Sequence, residues 1–218
     1  MRIFCVRHGE TDWNADGRFQ GQIDVPLNAR GKAQALAAGA ALKSIGFERI
    51  WSSPLSRASD TAKAIAEAGA FNGDILFHPD FTEIAHGLWE GRLASEVASL
   101  YPGLLEAWRK TPETVTMPEG ERLEDVRARA VPAWEELSEN ARADNVKNIL
   151  LVSHDATLRV LFCHLLGAPL SAFRCFQLAN ASVSVVEGTF GGWRFSLLGD
   201  AHHLDPRHPF ERPEQSGI

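Results

Sequence analysis

Two histidines and two arginines occupy corresponding places in this chain. Arg7 and His8 stand directly after a short apolar run, Arg2 to Val6, and His154 follows Asn148 to Ser153, the most sheet-like stretch of the sequence. Arg57 comes just after Glu48 to Ser52 and a Ser52-Ser53-Pro54 turn. Each run is short and β-branched or aromatic, as buried strands are. A single histidine is more often a satisfied structural residue than a catalyst, but four such groups at strand ends are poorly explained by packing. Guanidinium groups offer paired N–H donors that match phosphate oxygens. Helix N-termini after the strands add backbone donors and a favourable dipole. One imidazole can attack phosphorus, and the other can donate to the charge developing on the transferring group. The set suits a tetrahedral dianion and calls for no metal and no cofactor. Zinc-type spacings are absent near these residues, and the one histidine cluster, His202-His203 with His208, lies near the C-terminus.

The elements that must position these groups alternate between strand and helix. Residues 8–27 are polar and read as a loop. Asn28 caps a helix running to about Ser44, with Gly46 as its stop. Ser53-Pro54 reads as the start of a helix reaching Ala68. Ile75 to His78 is a third strand. Residues 81–121, punctuated by Gly and Pro, form an irregular helical lobe over one end of the sheet, facing the substrate. A long helix spans Leu123 to Ala141, bent at Pro132, and another spans Ala156 to Leu166. Further strands are expected at Ala172 to Leu178, Ser182 to Glu187 and Trp193 to Leu198, then a surface tail over about 200–218. This pattern predicts one α/β domain over residues 1–218, with a mostly parallel central sheet and helices on both faces. In such sheets ligands bind at the carboxyl ends of the strands.

Composition narrows the partners. The chain has 218 residues, 44% hydrophobic and 23% charged, so a packed core is expected rather than disorder. Its 22 basic and 28 acidic residues give a net charge of −6, which argues against general nucleic-acid binding. No apolar run approaches the roughly 20 residues of a membrane span. Cys5, Cys163 and Cys175 lack CxxC spacing and read as reduced, buried thiols. The expectation is a cytoplasmic enzyme acting on a small phosphorylated metabolite, with no nucleic-acid or membrane partner and with homodimerisation open.

The segments RHGETDWN (Arg7 to Asn14), GRFQGQIDVPLNARGKAQA (Gly17 to Ala35) and SSPLSRASDTA (Ser52 to Ala62) resemble the histidine phosphatase superfamily, phosphoglycerate mutase-like branch. EIAHGLWEG (Glu83 to Gly91), VSHDATLR (Val152 to Arg159), ANASVSVVE (Ala179 to Glu187) and GDAHHL (Gly199 to Leu204) continue the match in order. The resemblance implies that His8 is the histidine that becomes phosphorylated. Arg7, Arg57 and His154 match the other phosphate-pocket residues, and Asn14 matches a further phosphate ligand. Gln20 and Gly21 match a loop lining the substrate side. Glu83 matches the carboxylate that protonates the leaving oxygen and then activates water; its own position says only that it lies in the loop after the third strand.

Neighbouring residues have plainer readings. Glu10 is expected to be structural rather than the acid, and Thr11 to bond the loop backbone. Trp13 and Trp89 read as packing anchors. His86 either touches substrate or lies on the surface, and Asp60 either orients Arg57 or is solvated. Two residues depart from the family pattern. Asp155 stands where many relatives carry Gly, and is expected to cap the helix it begins. Arg122 stands where relatives often carry Ser, which removes a cap and places a cation near the leaving group. The function expected is a metal-independent phosphomonoester hydrolase of the histidine acid type, working through phosphohistidine. A phosphoglycerate mutase is the first alternative, and a non-catalytic phosphate-ligand binder of the same fold is the second.

Overall fold

The computed structural model describes residues 1–205. Its elements in chain order are β1 (Arg2–Arg7), α1 (Asp12–Asp16), α2 (Ala29–Leu42), β2 (Arg49–Ser52), α3 (Ser56–Ala68), β3 (Ile75–Phe77), α4 (Ala94–Leu100), α5 (Leu104–Lys110), α6 (Leu123–Ala143), β4 (Asn148–Ser153), α7 (Asp155–Leu165), β5 (Val183–Thr189) and β6 (Gly192–Asp200). The strands form one sheet in the order β3-β2-β4-β1-β5-β6. β3, β2, β4 and β1 run parallel, and β5 and β6 add an antiparallel edge.

Both faces are covered, and the strand residues divide between them with period two. Phe4, Val6, Ile50, Leu150 and Val152 face a core built with α2 and α3. Ile3, Cys5, Trp51, Ile149 and Leu151 face the larger core built with α6, α7 and the lobe. β4 and β1, paired at the sheet centre, are apolar nearly throughout because both of their faces are buried. The expected α/β sheet, mostly parallel with helices on both faces, is the one observed.

Several local expectations need correction. The stretch 172–178 is not a strand. A 3₁₀ helix covers Leu170–Cys175, and Phe173, Phe176 and Leu178 are buried at intervals of three and two rather than in alternation. The loop after Arg7 contains α1, which a reciprocal Thr11–Asn14 capping box starts and left-handed Gly17 ends. α3 begins at Ser56, two residues beyond Pro54, and Asp24 Oδ1 accepts from the Ser56 N–H and hydroxyl. Cys175 is exposed, unlike Cys5 and Cys163. Residues 200–205 of the expected tail are packed: β6 reaches Asp200, His203 bonds the Ala181 carbonyl, and Leu204 packs on the smaller core. The remainder of that tail, with His208, lies outside the described residues.

Candidate active site

The parallel strands set the frame. β1 ends in Arg7 and hands on to His8; β4 ends in Ser153 and hands on to His154. The His8 N–H donates to the Ser153 carbonyl at 3.0 Å, so the two strand ends are tied together. The His8 carbonyl accepts from the Ala181 N–H at 3.0 Å and from Asn180 Nδ2 at 3.2 Å. His8 Nδ1 lies 2.7 Å from the Gly9 carbonyl. A carbonyl only accepts, so Nδ1 carries the ring proton and Nε2 keeps its lone pair. Burial, with Arg57 and Arg7 nearby, holds this imidazole well below its ordinary value, and it is neutral at pH 7. Gly9 is required here: a Cβ would come within 2.5 Å of the Gly31 carbonyl oxygen at the start of α2.

His154 and Arg57 stand behind His8, both fully buried. The two imidazole rings are 5.0 Å apart. Ser53 Oγ accepts from the Leu55 N–H and lies 2.8 Å from His154 Nε2. Among the described residues Nε2 is the acceptor that the Ser53 hydroxyl reaches, so the hydroxyl proton is given to it and the ring proton sits on Nδ1, a buried atom with no hydrogen-bond partner. Burial first, then Arg57 and His8, push this imidazole down as well. Arg57 clamps the substrate-side loop, donating to the Gly21 carbonyl at 2.7 Å and the Ile23 carbonyl at 2.9 Å. Its Nε is buried without a partner, and burial brings the group down to about 10, so it remains charged at pH 7. Arg7 donates to the Leu178 carbonyl at 2.6 Å. Asn14 Oδ1 takes the Asn180 amide at 3.3 Å, and Gln20 Oε1 takes the Thr11 hydroxyl at 2.6 Å.

Glu83 reaches the same place from the loop after β3. Its Oε1 accepts from the N–H groups of Ile84, Ala156 and Thr157 at 3.0–3.3 Å, the last two being the N-terminus of α7. Oε2 has only a long contact with the Ala156 N–H, so it is the oxygen able to hold a proton. Burial pushes the Glu83 carboxyl above the usual range and Asp155 adds to this, while the Ile84 N–H, Arg57 and Arg7 pull against it. Arg129 fixes the Glu83 segment, donating to the carbonyls of Asp80, Thr82 and Glu83, and is itself held by Glu121.

A cavity of about 90 Å³ opens over these groups. Arg7, His8, Asn14, Gln20, Gly21 and Glu83 line it, whereas Arg57 and His154 form the layer behind. All eight residues singled out in the sequence therefore converge on one place. Asp155 also lines the cavity, but it does not cap α7: Arg159, one turn on, grips its carboxylate at 2.9 and 3.0 Å, and Arg7 lies 3.7 Å away. Arg122 turns its guanidinium to Asp125 rather than to the cavity. Asp60 pairs with Lys63, not Arg57. Glu10 binds Asn28 and Arg30, and His86 is a cavity wall against Phe19 and Trp108, where burial brings it down to about 3. Sequence reasoning missed Arg18, Phe19, Trp108 and Phe173 in the wall, and Ser53, Arg129 and Asn180 behind it. The aromatic rings carry no signal that separates a cavity wall from core. Among the described residues no group of three His, Cys, Asp or Glu side chains is arranged to hold a metal ion.

Two neutral imidazoles, charged guanidinium groups and a protonatable carboxyl meet at the carboxyl ends of parallel strands in an α/β protein, a set of donors whose chemistry suits a phosphate-like anion. The chain belongs to the histidine phosphatase superfamily, branch 1, whose family model matches residues 3–201. It is 38% identical over 186 residues to phosphoserine phosphatase 1 of Hydrogenobacter thermophilus, covering 85% of this chain and 86% of that one. It is 35% identical over 217 residues to the probable phosphoglycerate mutase GpmB of Salmonella arizonae, covering 94% and 95%. The mycobacterial glucosyl-3-phosphoglycerate phosphatase in complex with VO3 superposes with a TM-score of 0.83 at 29% identity, covering 91% of this chain and 98% of that one.

Proposed function

We propose that this protein is a phosphomonoester hydrolase that forms a phosphohistidine on His8, uses no metal and acts on a small phosphorylated metabolite in the cytoplasm. The observation carrying this reading is the tautomer of His8: with Nδ1–H tied to the Gly9 carbonyl, Nε2 is the nucleophilic nitrogen. The Nε2 lone pair attacks phosphorus, and the bond from phosphorus to the ester oxygen breaks. The leaving oxygen takes the Glu83 proton. The buried, unpartnered N–H groups of His154 Nδ1 and Arg57 Nε gain phosphoryl oxygens as acceptors. Glu83, now a carboxylate, takes a proton from water as the water oxygen attacks phosphorus. The N–P bond breaks, phosphate leaves and Glu83 is again protonated. The names of two relatives, both phosphatases, support hydrolysis.

The mutase reading draws on the GpmB relative. Against it stand the basic residues of the lobe. Arg92 bonds the Leu88 carbonyl, Lys110 pairs with Glu106 and Arg122 with Asp125, and these three do not line the cavity where a sugar-acid carboxylate would be held. A brief acid-free quench after mixing with a phosphomonoester tests the reading. An acid-labile, alkali-stable phosphoryl group is expected on the His8 peptide, with turnover unchanged by exhaustive chelation. Label on His154, or activity restored only by a divalent metal, overturns it. With 3-phosphoglycerate and a 2,3-bisphosphoglycerate primer, phosphate release faster than 2-/3-isomer exchange separates hydrolase from mutase.

A further inference from the structure

Ala181 is strained in an unusual place. Four non-glycine residues among those described have positive φ; Ala70, Glu119 and Asn145 are exposed, and Ala181, with φ +57°, is fully buried. A left-handed alanine is unfavourable because its Cβ crowds the following carbonyl oxygen. Such a conformation persists only where the surroundings over-determine it.

Here both polar groups of Ala181 are held. Its N–H donates to the His8 carbonyl at 3.0 Å, and its own carbonyl accepts from His203 Nε2 at 3.1 Å. The neighbouring Asn180 amide joins it on the His8 carbonyl. Fixing that carbonyl fixes the peptide plane between His8 and Gly9. Gly9 is pinned in turn, its N–H donating to Thr61 Oγ1 at 3.1 Å, and its carbonyl is the acceptor that keeps the proton on His8 Nδ1. A continuous run of hydrogen bonds thus leads from His203, just beyond β6, to the imidazole ring. Leu204 packs on the core cluster that contains Ala181, so the segment is anchored where His203 can act.

We propose that His203 is a positioning residue for the nucleophile: by holding the Ala181 carbonyl it keeps Ala181 left-handed, and so keeps the His8 carbonyl and ring in the attacking arrangement. This rests on the reading of His8 as the nucleophile. Without the His203 donor, Ala181 relaxes to negative φ and its N–H leaves the His8 carbonyl. Glycine at 181 has no such preference and stays in place without His203.

The test uses His203→Leu, which keeps bulk and loses the donor, and His203→Gln, which keeps a donor of similar reach. On p-nitrophenyl phosphate, kcat of His203→Leu is expected to fall about ten- to a hundredfold with KM little changed, since small misplacements of a reacting group have effects of that order. His203→Gln keeps most of the rate, and Ala181→Gly added to His203→Leu restores most of it. Wild-type kcat in His203→Leu overturns the proposal, as does a folded double variant that recovers nothing. If His203→Leu does not fold, His203→Asn, whose amide is too short to reach, takes its place. The imidazole ¹⁵N shifts of His8 give a readout without turnover: Nδ1-protonated in wild type and His203→Gln, mixed tautomers in the donor-less variant. Absence of trapped phosphohistidine in the wild type counts against the parent reading, whereas an unchanged His8 tautomer in His203→Leu counts against this one.

Discussion

The two ends of the cavity are built differently. At the phosphate end His8, Arg57 and His154 are at most 1% exposed, and main-chain carbonyls of residues 9, 21, 23 and 178 hold His8, Arg57 and Arg7. At the other end Phe19, His86, Trp108 and Phe173 come from separate segments and meet ring to ring at 5.0–6.0 Å. Arg18 beside them is one-third exposed and bonds the Gly91 carbonyl. A backbone-wired cluster tolerates no piecemeal change, because each side chain fixes a loop that fixes another. A wall of packed rings can change one ring at a time. Reaction and selectivity are therefore separable by mutation.

The largest effects fall at the wired end. His8→Ala should lower kcat by about 10⁴-fold or more on every phosphomonoester, as loss of a covalent nucleophile does. Steady-state assay on several esters checks this, and a loss confined to one substrate would break the division. Next is Glu83→Gln. It should slow alkyl phosphates by about 10²–10⁴-fold while p-nitrophenyl phosphate, whose leaving group needs little protonation, changes far less. Asp155, whose charge adds to the rise in the Glu83 carboxyl, sharpens the point: in Asp155→Asn the alkaline limb of the kcat profile should move to lower pH, because Glu83 then loses its proton earlier.

The wired end was legible in the sequence, since Arg7, His8 and His154 directly follow recognisable strands and Arg57 opens the next helix. Asn148 to Ser153 was read with its observed limits because a strand buried on both faces is apolar throughout. Glu83 was placed only by resemblance. The donors that hold its Oε1 in place come from Ala156 and Thr157, more than seventy residues away, and no local pattern announces them. Phe19, Trp108 and Phe173 look like core residues, and the segment of Phe173 was mistaken for a strand because apolar residues spaced by three and two resemble alternation over so short a stretch. Ser53-Pro54 read as the start of a helix, but α3 begins at Ser56 and the Ser53 hydroxyl is engaged by His154. The left-handed Ala181 gave no sign, as alanine is the wrong residue for that conformation.

Smaller effects are expected at the ring-lined end. Trp108→Ala removes one ring from the wall without touching a hydrogen bond to His8, Glu83 or Arg57. The ratio of kcat/KM between bulky and small phosphomonoesters should shift by about 10–200-fold, the range of one changed apolar contact in a pocket, while phosphoryl trapping on His8 persists. A substrate panel run on both proteins measures this. A uniform loss on all substrates would mean that the rings support the wired cluster after all.

The smallest effect is on stability. His8 and His154 are held well below the ordinary imidazole value of 6.5. Above about 6.5 they are neutral whether folded or unfolded, and folding costs nothing in protonation. As pH falls below that value the unfolded chain takes up protons that the buried imidazoles refuse, so stability is lost across the window down to their depressed folded values. Glu83 works in the opposite sense: its raised value favours the folded state at low pH and lessens stability as pH rises through the carboxylate range. The buried imidazoles of His8 and His154, joined by His86, which burial lowers to about 3, outnumber the one carboxyl, so the loss on acidification should dominate below about pH 6.5. Thermal melts from pH 8 to 5 should show Tm falling on the acid side, and His154→Gln, which removes one refusing imidazole, should flatten that fall. A melt profile equally steep in His154→Gln would move the origin of acid sensitivity away from the phosphate end.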